Sequence, residues 1–164
     1  ALVIADQGPS VRRREVDVAI SLVASPPPSL HGRRLFTVRY GVFGTAAAAS
    51  ARPLRWVVRG PAFSHPAQVE WEKQHVPSSA FRTTSVAATL ALVRGGAGVA
   101  VLPRRLAELE SALVEIGSYQ PSMPTLDRVA WILTHPDIQS APPVRALVDA
   151  LVSALAGGAA GADR

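Results

Sequence analysis

The sequence predicts an α/β fold with mainly parallel sheets. Short apolar runs alternate with segments of helical periodicity along most of the chain, which is typical of strands connected by helices. Runs such as Val16–Ile20 and Trp56–Val58 contain few polar residues, as expected of strands that are buried on both faces. The 164 residues are 48% hydrophobic and 18% charged, which is the balance of a globular domain.

The first predicted elements are three strands separated by turns. Leu2–Ile4 and Val16–Ile20 are short aliphatic runs. Pro26–Pro28 predicts an extended turn, because proline fixes φ and has no N–H group to donate. The third strand, Leu35–Val42, follows that turn.

Helices and strands alternate in the middle of the chain. Ala46–Ala51 predicts a short helix, and Trp56–Val58 predicts a strand. Ser64 is a candidate N-cap for a helix over about Pro66–Gln74, because its hydroxyl can accept a hydrogen bond from the first turn and proline is tolerated there.

The clearest helix covers Val86–Arg94, which has an apolar stripe and is followed by Gly95 and Gly96 as a stop. A flexible tail is predicted over residues 157–164, which begin at Gly157. The other predicted elements are the strands Val99–Leu102, Leu113–Ile116 and Arg128–Thr134 and the amphipathic helix Pro143–Leu155.

Composition excludes several classes of protein. The absence of cysteine excludes disulfides and thiolate metal sites. No run approaches the roughly 20 apolar residues that span a bilayer. The N-terminal charges follow the apolar run, which is the reverse of a signal peptide. We therefore expect a cytoplasmic protein that does not contact a membrane.

The net charge of +5 does not by itself indicate a nucleic-acid surface. The basic residues are scattered, and all 17 except Lys73 are arginine. The densest run, Arg12–Arg14, is followed by Glu15, so it fits a solvated turn or a subunit contact as well as a phosphate site. With only 5% aromatic residues, the chain is not expected to stack on bases.

Four stretches in this order resemble the C-terminal effector domain of LysR-type transcriptional regulators. Asp17–Ile20 is similar to the D-[LV]-A-[IL] strand of that family, and Leu30–Val42 is similar to its G-R-R-L segment and crossover strand. The remaining resemblance lies in the helix-opening turn Arg82–Ala88, the G-x-G-[IV]-A-x-[LV]-P signature in Gly95–Pro103, and the closing strand and helix in Trp131–Leu151.

The resemblance implies a two-lobed fold of the type 2 periplasmic-binding-protein class. Lobe I would comprise residues 1–42 and 126–156, and lobe II residues 43–125, with hinges near 41–44 and 123–127. The first part of lobe I and the DNA-binding domain of the family have no counterpart here, so the chain is expected to be a fragment.

The same resemblance implies a sensor rather than an enzyme. A small, anionic effector would bind between the lobes and shift their relative orientation. This shift would be relayed to DNA-binding domains outside this chain through a homodimer or homotetramer. The expected partners are the effector and other subunits, with DNA contacted only through the missing domain. No cofactor and no metal are expected.

The predicted effector site lies where strands end and a helix begins, because first-turn amides favour anions. Thr83, Thr84 and Ser85 stand at such a junction, although capping alone also explains them. A second candidate rim is Arg59–Ser64, in which Arg59, Gly60 and Phe63 could meet the ligand, and a simple turn is the alternative. Gly98 and Val99 complete the predicted set, mainly through backbone geometry.

Two other functions remain open from the sequence. Catalysis is disfavoured because Ser64, His65 and Asp127 lack a G-x-S-x-G elbow and the four histidines form no metal-binding motif. A fragment of a periplasmic-type solute-binding protein would share the fold, and an N-terminal helix-turn-helix in the parent gene would distinguish the two.

Overall fold

The structure is a computed structural model that describes residue 3, residues 10–60 and residues 65–159. Leu2, Ile4, Phe63 and Ser64, which carry predictions above, lie outside these ranges. The strands are β1 Val18–Val23, β2 His31–Val38, β3 Tyr40–Thr45, β4 Trp56–Arg59, β5 Ser79–Thr83, β6 Ala100–Pro103, β7 Leu113–Glu115 and β8 Arg128–Thr134. The α-helices are α1 Ala46–Ser50, α2 Pro66–His75, α3 Val86–Arg94, α4 Arg104–Glu108 and α5 Pro142–Ala159, and a 3-10 segment covers Gly117–Leu126.

The chain divides into two compact units. Among the described residues, unit 1 comprises 10–38 and 128–159, and unit 2 comprises 39–60 and 65–127. The chain passes from one unit to the other at Val38–Arg39 and at Asp127–Arg128. The lobe boundaries that the resemblance implies stay a prediction. In the described part of the chain, no helix has both the length and the apolar character needed to cross a membrane.

Unit 1 is a three-stranded sheet with one long helix. The strand order is β1-β8-β2, and both pairings are antiparallel. Ile132 of β8 lies between Ile20 of β1 and Arg33 of β2, so these three side chains share one face of the sheet. Helix α5 contacts β2, and its apolar stripe agrees with the amphipathic helix predicted from the sequence.

Unit 2 contains two small sheets and the larger core. One sheet has the order β6-β3-β7 with antiparallel pairing, and the other pairs β4 with β5 in parallel. Val57 N–H donates to the Val99 carbonyl at 2.9 Å, and Val99 N–H donates to the Arg55 carbonyl at 2.8 Å. These bonds join β4 to the segment before β6, and alternate residues of the joined strands belong to two different hydrophobic clusters.

Three aromatic residues contact one another in the larger of these clusters. Trp56 is 2% exposed, and its ring lies 6.0 Å from that of Trp71 and 5.5 Å from that of Tyr119 in edge-to-face contacts. Trp71 Nε1–H donates to Ser122 Oγ at 2.8 Å, so its polar atom is satisfied. Strand β4, through Trp56, and helix α2, through Trp71, therefore pack into the same cluster.

The α/β class is confirmed, but the expectation of mainly parallel sheets is wrong for the described strands. Four strand pairings are antiparallel, whereas β4 with β5 and the isolated bridge between Trp56 and Val99 are parallel. An apolar run indicates burial on both faces and carries no information on the direction of the neighbouring strand. The direction follows here from β8, which returns late in the chain to pair with β1 and β2.

Several boundaries also differ from prediction. The single strand expected over Leu35–Val42 is two strands, because the chain leaves unit 1 at Arg39. Helix α2 is capped by His65, whose Nδ1 accepts from Ala67 N–H at 3.1 Å. Helix α5 continues to Ala159 and so includes part of the predicted tail, of which residues 160–164 lie outside the described ranges.

Candidate functional site

Two parallel strands of unit 2 end at the same edge of their sheet. The register of β4 and β5 places Arg59 opposite Thr83, and each is the last residue of its strand. Helix α3 begins shortly afterwards at Val86. Carboxyl ends of parallel strands beside a helix N-terminus form the usual ligand-binding edge of α/β proteins. We call Arg59, Thr83, Thr84 and Ser85 the β4–β5 site.

The three hydroxyl residues of this site have different roles. Ser85 Oγ accepts from Ala88 N–H at 3.1 Å and caps α3. Thr83 is 8% exposed, and its Oγ1 lies 2.7 Å from Thr89 Oγ1, so this hydroxyl is engaged inside the protein. Thr84 is exposed. Thr84 is therefore better placed than Thr83 to meet a ligand from solvent.

Arg59 and Gly60 lie on the neighbouring strand end, and Phe63 lies outside the described residues. Arg59 is half-buried. Gly60 N–H donates to the Thr83 carbonyl at 2.9 Å, which extends the β4–β5 pairing by one residue. The amide of Gly60 thus already has an acceptor, and Arg59 supplies the positive charge at this edge.

Gly98 and Val99, the last two predicted site residues, serve the packing of unit 2. Val99 is fully buried, at 0% exposure. A Cβ atom on Gly98 would lie 2.3 Å from the Arg55 carbonyl oxygen, so only glycine allows this close approach. The structure therefore places this pair in the core contact with β4 rather than among the exposed side chains of the β4–β5 site.

Residues that the sequence did not single out complete the surroundings. Gln68, Val86 and Thr89 line a depression of about 20 Å³ together with Arg59. This volume holds little more than a water molecule, so a ligand would lie over the depression rather than inside it. Gln68 is 8% exposed and lies on the same buried face of α2 as Trp71, which comes three residues later in the chain. That spacing is the signal in the sequence that could have identified Gln68.

One carboxylate lies near the positive charge of the site. Gln68 Nε2–H donates to Glu72 Oε1 at 2.9 Å. Burial raises the pKa of the Glu72 carboxyl, while the hydrogen bond from Gln68 and the charges of Arg59 and Arg82 act to lower it. Glu72 in its charged form therefore partly neutralises Arg59, and in its protonated form it leaves the edge more positive.

The chemistry available here is recognition of an anion. The Thr84 hydroxyl, the Arg59 guanidinium and the backbone N–H groups of the first turn of α3 all favour negative charge. Among residues 10–60 and 65–159, no three histidine, aspartate or glutamate side chains come together as a metal site.

A comparison with protein families matches residues 5–156 to the LysR substrate binding domain. The regulatory domain of CrgA, a LysR-type transcriptional regulator from Neisseria meningitidis, has a TM-score of 0.70 and 18% identity, over 88% of this chain and 78% of that one. The CcmR regulatory domain from Synechocystis PCC6803, solved in complex with 2-PG, has a TM-score of 0.65 and 16% identity, over 88% of this chain and 76% of that one.

A full-length relative matches as well. LysG from Corynebacterium glutamicum, solved with bound effector Arg, has a TM-score of 0.61 and 17% identity, over 88% of this chain and 53% of that one. This chain thus spans about half of the full-length regulator. No curated protein matches the sequence.

These structural matches have the same two-lobed, type 2 periplasmic-binding-protein-like α/β fold that the sequence motifs implied. The matched family consists of effector domains of transcriptional regulators and is not an enzyme family. Since residues 5–156 are nearly the whole chain, it belongs to the LysR substrate binding domain family, the ligand-sensing part of LysR-type transcriptional regulators.

Proposed function

We propose that this domain senses a small anionic effector at the β4–β5 site. The observation that carries the proposal is the parallel register of β4 and β5, which sets Arg59 opposite Thr83 immediately before the start of α3. The prediction that the effector lies between two lobes stays a prediction.

Three groups would bind the effector carboxylate or phosphate. The N–H groups of Val86 and Ala87 have no acceptor within their own helix, because the first turn lacks a preceding turn. The exposed Thr84 hydroxyl can donate a third hydrogen bond, and Arg59 supplies a full positive charge. Hydrogen bonds to a charged partner contribute about 1.5–3 kcal/mol each, which is sufficient to select anions over neutral analogues.

The signal would reach DNA through parts of the regulator outside this chain. An effector changes an equilibrium only if it binds one arrangement of the protein more tightly than another. We propose that this arrangement differs within a homodimer or homotetramer in the cytoplasm, and that DNA contact belongs to the DNA-binding domain of the family. We further propose that the domain has no catalytic activity. The family match supports this regulator over a solute-binding protein.

A ligand screen with paired arginine variants tests the proposal. Small carboxylates and phosphates are added to the chain, and a specific effector raises the melting temperature by an amount that grows with the logarithm of its concentration over its Kd. We expect Arg59→Gln to weaken binding by roughly 10- to 100-fold, the equivalent of one charged hydrogen bond. Arg55→Gln is the matched control, because Arg55 precedes β4 and lies at its other end.

The second variant is Thr84→Val, which removes the exposed hydroxyl without touching the α3 cap. We expect a several-fold loss of affinity with an unchanged melting temperature in the absence of ligand. If Arg59→Gln and Arg55→Gln have equal effects on binding, the β4–β5 site does not hold the effector.

A further inference from the structure

A cavity in unit 1 lies between helix α5 and the sheet. Its volume is about 280 Å³, and its walls come from β2, β8 and α5. We propose that this cavity, the α5 cavity, is a second binding site that takes a small monocarboxylate with an apolar body. It is formed by unit 1 alone, and the β4–β5 site is formed by unit 2 alone.

Sheet register builds one wall of the α5 cavity. His31 pairs with Thr134, and Arg33 pairs with Ile132, so all four side chains lie on the same face, under α5. Ile132 is 1% exposed and, with Val148 of α5, provides an apolar surface. The cavity therefore combines an apolar floor with polar groups, as small-molecule sites do.

Thr134 points to a ligand with a polar group. Its side chain lines the cavity and is only 3% exposed. Its backbone is paired within the sheet, with Val18 of β1 and His31 of β2. Because Thr134 lines the cavity, a bound carboxylate oxygen would accept a hydrogen bond from its hydroxyl in place of water.

The charges of the lining select an anion. Arg33 Nη1–H donates to Asp149 Oδ1 at 2.7 Å, so these two charges offset each other. Arg145 also lines the cavity, and no carboxylate within the described ranges pairs with its guanidinium. Arg33, Arg145 and Asp149 together carry a net charge of +1, which matches a single carboxylate.

The start of α5 does not provide an alternative explanation for anion binding. Its first two residues are Pro142 and Pro143, which have no N–H groups to donate. Recognition would therefore depend on the Arg145 and Thr134 side chains. A volume near the lower end of the roughly 300–1,000 Å³ typical of ligand sites limits the occupant to a short aliphatic or small cyclic acid.

A methyl NMR titration of the whole chain with butyrate tests the proposal, with butyramide as the uncharged analogue. We expect saturable shifts at the methyl groups of Ile132, Val148 and Thr134, and binding of butyramide at least about tenfold weaker, because the amide lacks the charge. Arg145→Gln is expected to weaken butyrate binding about tenfold, and Thr134→Val several-fold.

Two controls separate this site from other effects. Arg12→Gln removes an exposed arginine of the same unit that does not line the cavity, and we expect less than about a twofold change in Kd. Arg59→Gln removes the charge of the β4–β5 site and should leave butyrate binding in the α5 cavity unchanged. The two proposals can therefore fail separately.

Three results would overturn the proposal. They are equal effects of Arg145→Gln and Arg12→Gln, equal affinities for butyrate and butyramide, and shifts confined to residues around Ser85. Arg145 is exposed on its helix, so Arg145→Gln keeps the fold and gives a clear result even if Thr134→Val is unstable.

Discussion

The two units bury their apolar residues to different extents. Both hydrophobic clusters formed by the described buried residues lie in unit 2, where Trp56 and Val99 are 2% and 0% exposed. In unit 1, Ile20 and Leu22 of β1 are 48% and 44% exposed, and Leu147 of α5 is 48% exposed. The β4–β5 site of unit 2 thus lies on closely packed residues, whereas α5 covers one sheet face of unit 1 only in part.

This difference bears on how each site works. A binding site keeps its geometry when the elements beneath it are held by packing. The β4–β5 site rests on Trp56 and Val58 of β4, which belong to the larger cluster. We therefore expect unit 2 to keep its site preformed, and unit 1 to open locally at lower free energy.

The largest expected effect is the loss of a core aromatic residue in unit 2. Trp56→Ala removes the edge-to-face contacts with Trp71 and Tyr119 and leaves a cavity, so we expect a loss of about 3–5 kcal/mol in the free energy of unfolding. Ile20→Ala, at a half-exposed position of unit 1, should cost less than about 1 kcal/mol. Urea unfolding followed by circular dichroism measures both, and equal losses would contradict the comparison.

A second prediction concerns the closest backbone approach in unit 2. Gly98→Ala places a methyl group 2.3 Å from the Arg55 carbonyl oxygen. The backbone must shift, and we expect a loss of about 1–3 kcal/mol in stability. Gly117→Ala is the control, since nothing lies within 4 Å of its Cβ position. A neutral Gly98→Ala would show that the contact with Arg55 is not tight.

The third prediction separates two adjacent threonines of the β4–β5 site. Thr83→Val removes the buried hydrogen bond with Thr89 and should lower the free energy of unfolding by about 1 kcal/mol. Thr84→Val, on the exposed neighbour, should change it by less than about 0.5 kcal/mol. Thermal unfolding of both variants measures the two changes. A larger loss of stability from Thr84→Val than from Thr83→Val would contradict the assignment of the buried hydrogen bond to Thr83.

The smallest expected effect is a pH dependence at Glu72. Because burial raises its pKa in the folded protein above 4.5, the folded state binds more protons than the unfolded state, and stability falls as pH rises from 4.5 through the raised pKa. Glu72→Gln should remove this dependence and, by deleting a negative charge near Arg59, strengthen anion binding a few-fold, on the order of 1 kcal/mol.

Stability measured between pH 4 and pH 8, with methanesulfonate as an anion that does not titrate there, checks both effects. If Glu72→Gln weakens methanesulfonate binding, the carboxylate supports the site rather than opposing it.

Local patterns predicted much of the fold. The bounds of α3 and β8 agree with the predicted Val86–Arg94 and Arg128–Thr134, because a helix with a Gly stop and a continuous apolar strand are specified by nearby residues. Pairing direction was not predictable in this way. The direction in which β8 joins β1 depends on where the chain returns, which no short window of sequence contains.

In the β4–β5 site, too, some features follow from nearby residues and others only from the fold. The Ser85 cap was readable from a hydroxyl before an apolar helix, and the structure has it. The engagement of Thr83 by Thr89 and the position of Gln68 beside Arg59 were not readable, because each joins residues on different elements. Whether the site residues bind an effector stays a prediction.

The sequence by itself determined the element types, the family and the location of an anion-favouring helix start, because propensity, capping and motif order act over a few residues. Only the tertiary structure decided which strands pair in parallel, which threonine of the β4–β5 site is exposed, and that β2, β8 and α5 line a cavity. Those features arise from contacts between residues far apart in the chain, whose geometry is set by packing.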